Sequence, residues 1–306
     1  MVGVMNRTLF RKQLQLGLNA VFGMKYRQYP EEWRDAFEVV TADKAVEEQV
    51  QEMGLGAGRV KAEGAGVAYD SGRELWFSRF EAQTIALAFA ITEEAEEDGL
   101  YGSLGKKYSS ALARSMQYTK EVKGAAIFNN GFDTSGAYNG GDGKPLYSTT
   151  HPLGGGGTWS NTLATPADLG ETPLEALSIQ IDGTTDDRGI PAMLRIKRAI
   201  IPKELKFVIE RLLSGTERPG TADRDINAMN KMGTVPDWSV NRFLTDPNAW
   251  FLITDAEGGL QHFKRKALSR GIEGDFETGN MRYKARERYV FGWHEPRGTF
   301  GSSGST

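Results

Sequence analysis

Histidine is the first place to look for metal or acid–base chemistry, and this chain offers His151, His262 and His294. They lie far apart in sequence, and none has a metal-ligand spacing. HEPRG at 294–298 begins like the zinc motif HExxH but lacks its second histidine. GxSxG is missing, so no nucleophile elbow is indicated. A Ser-His-Asp set could be assembled only in space, since no local spacing points to one. The chain has no cysteine, which removes disulfides, thiolate nucleophiles and cysteine-ligated metals together. GLGAGR supplies Gly54 and Gly56 for a dinucleotide fingerprint, but Arg59 takes the third position, and the preceding EEQVQE does not read as a strand. GGGG at 154–157 is not followed by Gly-Lys-Ser/Thr, so it is no phosphate loop and reads as a mobile connection. EEAEED (93–98) has carboxylates enough for a metal, yet no calcium-loop spacing and no nearby histidine, and reads as a solvated charge run. No cofactor is called for, and no credible active site emerges.

The elements that would position any such residues follow from composition and pattern. The 306 residues are 39% hydrophobic and 25% charged with a formal net charge of −3, which suits a globular chain of about two domains. A pI near 5.8 argues against wrapping nucleic acid by bulk charge. No apolar run approaches the ~20 residues of a membrane helix. Behind Arg7, Arg11 and Lys12, polar residues interrupt the apolar ones, so a secretory signal is not indicated. Leu9, Leu14, Leu18 and Phe22 instead predict an amphipathic helix, packed on the body or docking as an arm. A short helix is expected at QYPEEWRDAFEVV.

Residues 52–76 contain six glycines and few large apolar side chains. This stretch cannot bury enough surface to fold alone, and is expected to be disordered or a two-stranded arm lying on something else. TIALAFAI predicts a buried strand with Ile85, Leu87, Phe89 and Ile91 on one side. A long helix is expected over about 104–128, with a stripe of Leu104, Tyr108, Leu112, Ser115, Thr119, Val122 and Ala126. Later come a loop-rich region (129–161), a helix with Thr172 as N-cap, Glu175 as capping-box partner and Gly183 as stop, a strand at 193–201, a helix over PKELKFVIERLLSG, an exposed loop at 215–237 and a buried strand at 248–255. HFKRKALSRG is basic and of uncertain form, and GTFGSSGST reads as a polar tail. Strands 85–91 and 281–293 are expected to share a sheet beside the long helix.

MRYKARERYVFGW (281–293) is the sharpest pattern. Arg282, Lys284, Arg286 and Arg288 occupy one face, while Met281, Tyr283, Ala285, Tyr289, Phe291 and Trp293 occupy the other, with Glu287 the exception. The extended arm and this two-faced strand are surplus for a small monomer. They imply neighbouring copies that supply the missing surface.

The order of segments resembles the tailed-bacteriophage major capsid protein: a polar arm, a glycine-rich extended loop, a strand, an acidic run into a long helix, an α/β middle and a returning strand. PLYSTTHPLGGGGTWSN, ETPLEALSIQID, RGIPAMLRIKRAIIPKEL and FGWHEPRGTFGSSG resemble the Mu-type major head subunit branch. The resemblance implies an α+β fold of the Hong Kong 97 type, with an N-terminal arm (1–47), an extended loop (48–80), a peripheral domain with its spine helix (81–145), an axial domain (146–267) and a return to the peripheral domain (268–306). It implies a shell of pentamers and hexamers in the virion, assembled in the host bacterial cytoplasm around double-stranded DNA. A portal, a decoration protein and a separate scaffolding protein are the further partners, the last because little sequence precedes the loop. Some relatives crosslink a loop lysine; Lys61 is the only lysine in residues 52–76, and nothing around it marks a crosslinking environment.

Inter-subunit contacts are expected at Lys61, Glu63 and Arg73 of the loop, and at Arg282, Lys284, Arg286 and Arg288. The cationic face would meet a neighbour's carboxylates, remain a solvated face, or touch packaged DNA weakly and without sequence preference. The rival readings are an encapsulating compartment or accessory virion protein of the same fold, and an enzyme with a dispersed active site.

Overall fold

The structure, a computed structural model, describes residues 7–92, 101–217, 226–274 and 280–305; the acidic run 93–98 lies outside them. Its first layer is a four-stranded sheet in the order β1 (Glu38–Thr41), β10 (Leu260–Gly274), β11 (Met281–Trp293), β4 (Gln83–Ile91). β1 runs parallel to β10, and the other pairs are antiparallel. The expected partnership of 85–91 with 281–293 is present, with Tyr283 opposite Phe89 and Ala285 opposite Leu87. Along β11 burial alternates as the sequence pattern requires: Met281, Tyr283, Ala285, Glu287 and Tyr289 are buried, while Arg282, Lys284 and Arg286 are exposed.

Two helices cover the odd face, α1 (Arg7–Gln28) and α2 (Tyr101–Asn129). Leu18 and Phe22 of α1, Leu112, Ala113 and Met116 of α2, and Tyr283 and Ala285 of β11 form one core. The long helix is where it was expected, but its buried stripe is Ser109, Leu112, Met116, Lys120, Ala125 and Phe128, while Tyr108 and Val122 are exposed. The spacing was legible and the phase was not, because alanines and polar residues fill the inward positions. TIALAFAI is also a strand, but an edge one: it pairs only with β11 among the described strands, and Leu87 remains 46% exposed.

The second layer is a sheet in the order β12 (Thr299–Ser302), β9 (Trp250–Thr254), β7 (Ile196–Ile201), β8 (Trp238–Val240). Helices α3 (Glu171–Asp182), α4 (Lys206–Ser214) and α5 (Ala228–Met232) accompany it. Leu174, Leu177, Ile181, Ile209, Trp250, Leu252 and Phe300 make its core. Three local expectations change here. The N-cap of α3 is Gly170 without a side-chain bond, so Thr172 lies inside the helix, although Gly183 does end it. Part of the expected loop at 215–237 is α5. The polar tail is β12, fully buried against β9, with the Ser302 hydroxyl donating to the Ala167 carbonyl at 2.8 Å.

A shared aromatic core joins the layers: Trp33, Phe37, Phe128, Tyr147, Phe251 and Phe291. Trp33 sits in a 3-10 turn (Glu32–Asp35), the short helix expected there. Asn161 stitches the C-terminal segment to the loop below it. Its amide donates to the carbonyls of Leu146 (2.7 Å), Pro296 and Thr299 (both 3.2 Å), and its oxygen accepts from the Ser148 N–H.

Between α2 and the sheet the packing is polar. The Lys120 ammonium lies 2.6 Å from Glu287, donates to the Tyr26 hydroxyl at 2.8 Å, and faces the rings of Tyr26 and Tyr289. Glu287, the one acid on the apolar face of β11, is therefore neutralised from the helix above, and burial still raises its pKa against the pull of Lys120. Beside it Glu121 accepts the Trp33 N–H at 3.0 Å, and burial raises its pKa to about 7. His262, between Trp33 and Phe291, is pushed by burial and by Lys120 down to about 3 and stays neutral.

Two outcomes follow. Lys120→Met, which strands a buried carboxylate, costs about 3–5 kcal/mol of stability, and the Lys120→Met, Glu287→Met double variant recovers most of it in chemical denaturation. Glu121 has a folded pKa above its unfolded one, so its ionisation penalty is absent at acid pH and grows as pH rises toward 7. Glu121→Gln therefore stabilises the fold by about 1–3 kcal/mol at pH 8, a gain that fades toward pH 4.5 in parallel denaturation curves.

Candidate assembly surfaces

The first surface is an arm. β2 (Val46–Met53) and β3 (Arg73–Glu81) form a two-stranded ladder from Val46 opposite Glu81 to Met53 opposite Arg73. EEQVQE is thus a strand after all; an arm strand near solvent on both sides has no need of apolar alternation, which hid it from the sequence reading. The root is fixed to the body. The Phe80 ring stacks on Phe263 and lies over Gly292, where a Cβ would stand 2.3 Å from the ring, so only glycine fits there. His294 Nδ1 and the Ser78 hydroxyl are 3.0 Å apart beside it. Beyond the root, every residue from 57 to 72 is exposed. Val60 and Tyr69 are as open as in a free peptide, at 103% and 98%.

Lys61 and Glu63 stand on this open tip. Arg73 does not; its guanidinium donates to the Gly154 carbonyl of the same chain. GGGG forms the turn between β5 (His151–Pro152) and β6 (Thr158–Trp159), with Leu153 N–H donating to Gly157, and it is a fitted seat for the arm root in place of the mobile connection expected.

The second surface is the outer face of the first sheet. Arg282, Lys284, Arg286 and Arg288 stand directly opposite Ala90, Ala88, Ala86 and Thr84 of β4. These short neighbours leave room for the long stems to lie across them. On the other side Lys284 approaches Glu273 at 3.8 Å, and Arg286 has no ion pair among the described residues. Arg288 differs from the other three: it is half-buried, and its Nε has no partner. The arm tip and the cationic face are two separate surfaces of one subunit.

The histidines are structural. His151 is fully buried, with Nδ1 2.6 Å from Asp142 and Nε2 near the Leu146 carbonyl and the Asn161 oxygen. His294 has its serine, but its further bond is with the Val50 main chain, so the Ser78–His294 pair lacks the third member of a triad. Among the described residues no group of three or more His, Asp or Glu side chains is arranged to hold a metal, and no helix is long and apolar enough to cross a membrane. Sequence reasoning missed Lys120, although the lone Glu287 on a greasy face was a signal that a buried cation had to exist.

The comparisons agree with this geometry. The fold is similar to a virus-like particle from Pyrococcus furiosus, with TM-score 0.54 and 10% identity over 93% of this chain and 97% of that one. It is similar to a phage-related protein from Bordetella bronchiseptica RB50, with TM-score 0.51 and 12% identity over 92% and 95%. It is also similar to a chain of Mycobacterium phage Adephagia, with TM-score 0.50 and 10% identity over 90% of each. The mixed α and β architecture is that of the Hong Kong 97 capsid type. A comparison with curated proteins gives no match. The phage capsid protein family model matches residues 78–301, from within β3 to within β12. With the match spanning most of the chain, this protein belongs to the phage capsid protein family, a family of structural capsid proteins.

Proposed function

We propose that the subunit assembles as pentamers and hexamers into an icosahedral head enclosing the double-stranded DNA of a tailed phage, in the host bacterial cytoplasm, with a separate scaffolding protein, a portal and a decoration protein as partners. Within the family we assign it to the Mu-like branch, on the strength of the segments around PLYSTTHPLGGGGTWSN and FGWHEPRGTFGSSG. α2 is the spine helix and residues 48–80 the extended loop; the first sheet with α1 and α2 serves as the peripheral domain and the second sheet with its helices as the axial domain.

The observation that carries this reading is the arm tip, where the apolar side chains of Val60 and Tyr69 stand fully open to solvent among the described residues. A projecting apolar segment is stabilised by a second copy lying beneath it. Lys61 and Glu63 are then tip contacts, and Arg282, Lys284 and Arg286 meet a neighbour's acidic surface. The arm strand β2 has the matching character, with Glu47, Glu48 and Glu52 and no cation. Direct contact of the same face with packaged DNA is the second reading, weak and without sequence preference.

Electron microscopy of the purified protein should show closed shells, and nucleic acid inside them separates a genome container from a compartment for protein cargo. Lys284→Glu, Arg286→Glu reverses two charges of the exposed part of the cationic face. It should cut particle yield sharply at low salt with the subunit still folded, and normal yield at both low and high salt overturns the inter-subunit role. Normal shells with reduced DNA content would place DNA on that face instead.

A further inference from the structure

We infer that Arg188 is the positioning residue of the extended arm: it fastens both legs of the arm to the body of its own subunit and so sets the direction in which the tip reaches. The inference rests on the shell reading for its consequence, though not for its geometry.

The turn GTTDDRGIP (183–191) is built to present one guanidinium. The Asp186 carboxylate accepts the N–H groups of Arg188 (2.8 Å) and Ile190 (2.9 Å), and the Asp186 N–H donates to the Ile190 carbonyl at 2.8 Å. Gly189 completes the turn at φ +80°, a left-handed conformation that glycine adopts without strain. Arg188 is left at the apex. Its Nε donates to the Gly54 carbonyl at 3.0 Å, on the outgoing leg of the arm. Its terminal nitrogen donates to the Ser71 carbonyl at 2.6 Å and lies 3.3 Å from the Asp70 carboxylate, both on the returning leg. Asp70 in turn ties the legs together, accepting the Gly56 N–H at 2.8 Å and the N–H of Ser71 at 2.9 Å. Those two bonds, with Arg188 beside them, hold its pKa below the usual carboxylate range.

The platform beneath the clamp is itself fixed. The Asp187 carbonyl accepts the Gly155 N–H at 3.1 Å, and its carboxylate takes the Gly154 N–H at 3.2 Å and approaches Arg297 at 3.5 Å. Arg297 pairs with Glu295, which also receives the Gln51 side chain of β2 at 2.9 Å. Arg188 is thus the last link between the body and the arm tip: among the described residues no other side chain of the body bonds to the arm from 57 to 72. A planar guanidinium with donors on two edges can hold two strands at a fixed angle, which a lysine ammonium cannot do.

The chain has no cysteine, so introduced ones are unique labelling sites. Spin labels at Ala62→Cys on the tip and Ile179→Cys on α3 report the arm's direction in dilute, unassembled subunits. The native background should give a narrow distance distribution. Arg188→Ala should broaden it about twofold or more without moving the thermal midpoint of the body. Asp70→Asn should broaden it too, and Arg188→Lys should restore it only in part. In assembly followed by sedimentation, Arg188→Ala should lower particle yield at least about tenfold. An unchanged distribution in Arg188→Ala overturns the clamp. A broadened distribution with undiminished yield of uniform particles overturns its role in aiming the arm. Should the native chain form neither particles nor pentamers and hexamers, the shell reading fails, while the distance measurement still decides the clamp.

Discussion

One strand carries contradictory obligations along its length. β11 must be buried on one face and open on the other from Met281 to Arg286, and closed on both faces from Tyr289 to Trp293. The first half is a floor for α1 and α2 beneath an uncovered row of cations. The second half passes between the aromatic core and the Phe80 ring at the arm root. The changeover falls at Glu287 and Arg288, which explains why a buried ion pair sits at that depth: the strand leaves solvent with its charges still attached, and Lys120 accommodates the one that points inward. From there the chain turns through residues 294–298 and enters the other sheet as β12. Both layers, the arm root and the spine-like helix all take their positions from this one segment.

Much of this was readable from residues alone because strand geometry leaves few options. Alternation of period two in 281–293 named the face that would be buried, residue by residue, and Ile85 and Phe89 opposite supplied the matching side. A helix offers a weaker constraint when its inward face is made of small and polar residues. The phase of α2 was misread for that reason: Lys120 and Glu121 look like solvent residues, and only the sheet beneath gives them partners. The charged strand β2 was invisible for a related reason, since its ladder with β3 needs main-chain pairing more than side-chain burial. β12 escaped notice because glycine and serine carry no hydrophobic signature, yet Phe300 is fully buried and the Ser302 hydroxyl finds a carbonyl partner.

The surfaces implied in assembly were legible to different degrees. Glycine content marked the arm, and its exposed tip agrees with that reading. Arg73 was grouped with the tip residues by proximity in sequence, but three-dimensional placement sets it at the root, bonded to Gly154. Arg188 had no signal of its own, since one arginine in a polar turn looks like any other until the arm is seen to lie against it.

The position of β12 has a consequence for synthesis. The second sheet is assembled from strands far apart in translation order: β7 and β9 emerge first, while the strand that closes the β9 edge comes some fifty residues later, after both long strands of the other sheet. Until Phe300 arrives, the hollow between Trp159 and Leu252 has no occupant, and the Asn161 amide lacks the carbonyls of Pro296 and Thr299. A nascent or prematurely terminated polypeptide therefore displays an unfinished sheet edge, with the Asn161 amide held by the Leu146 carbonyl alone. Such an open edge is exposed to proteolysis and to pairing with other chains until β12 closes it.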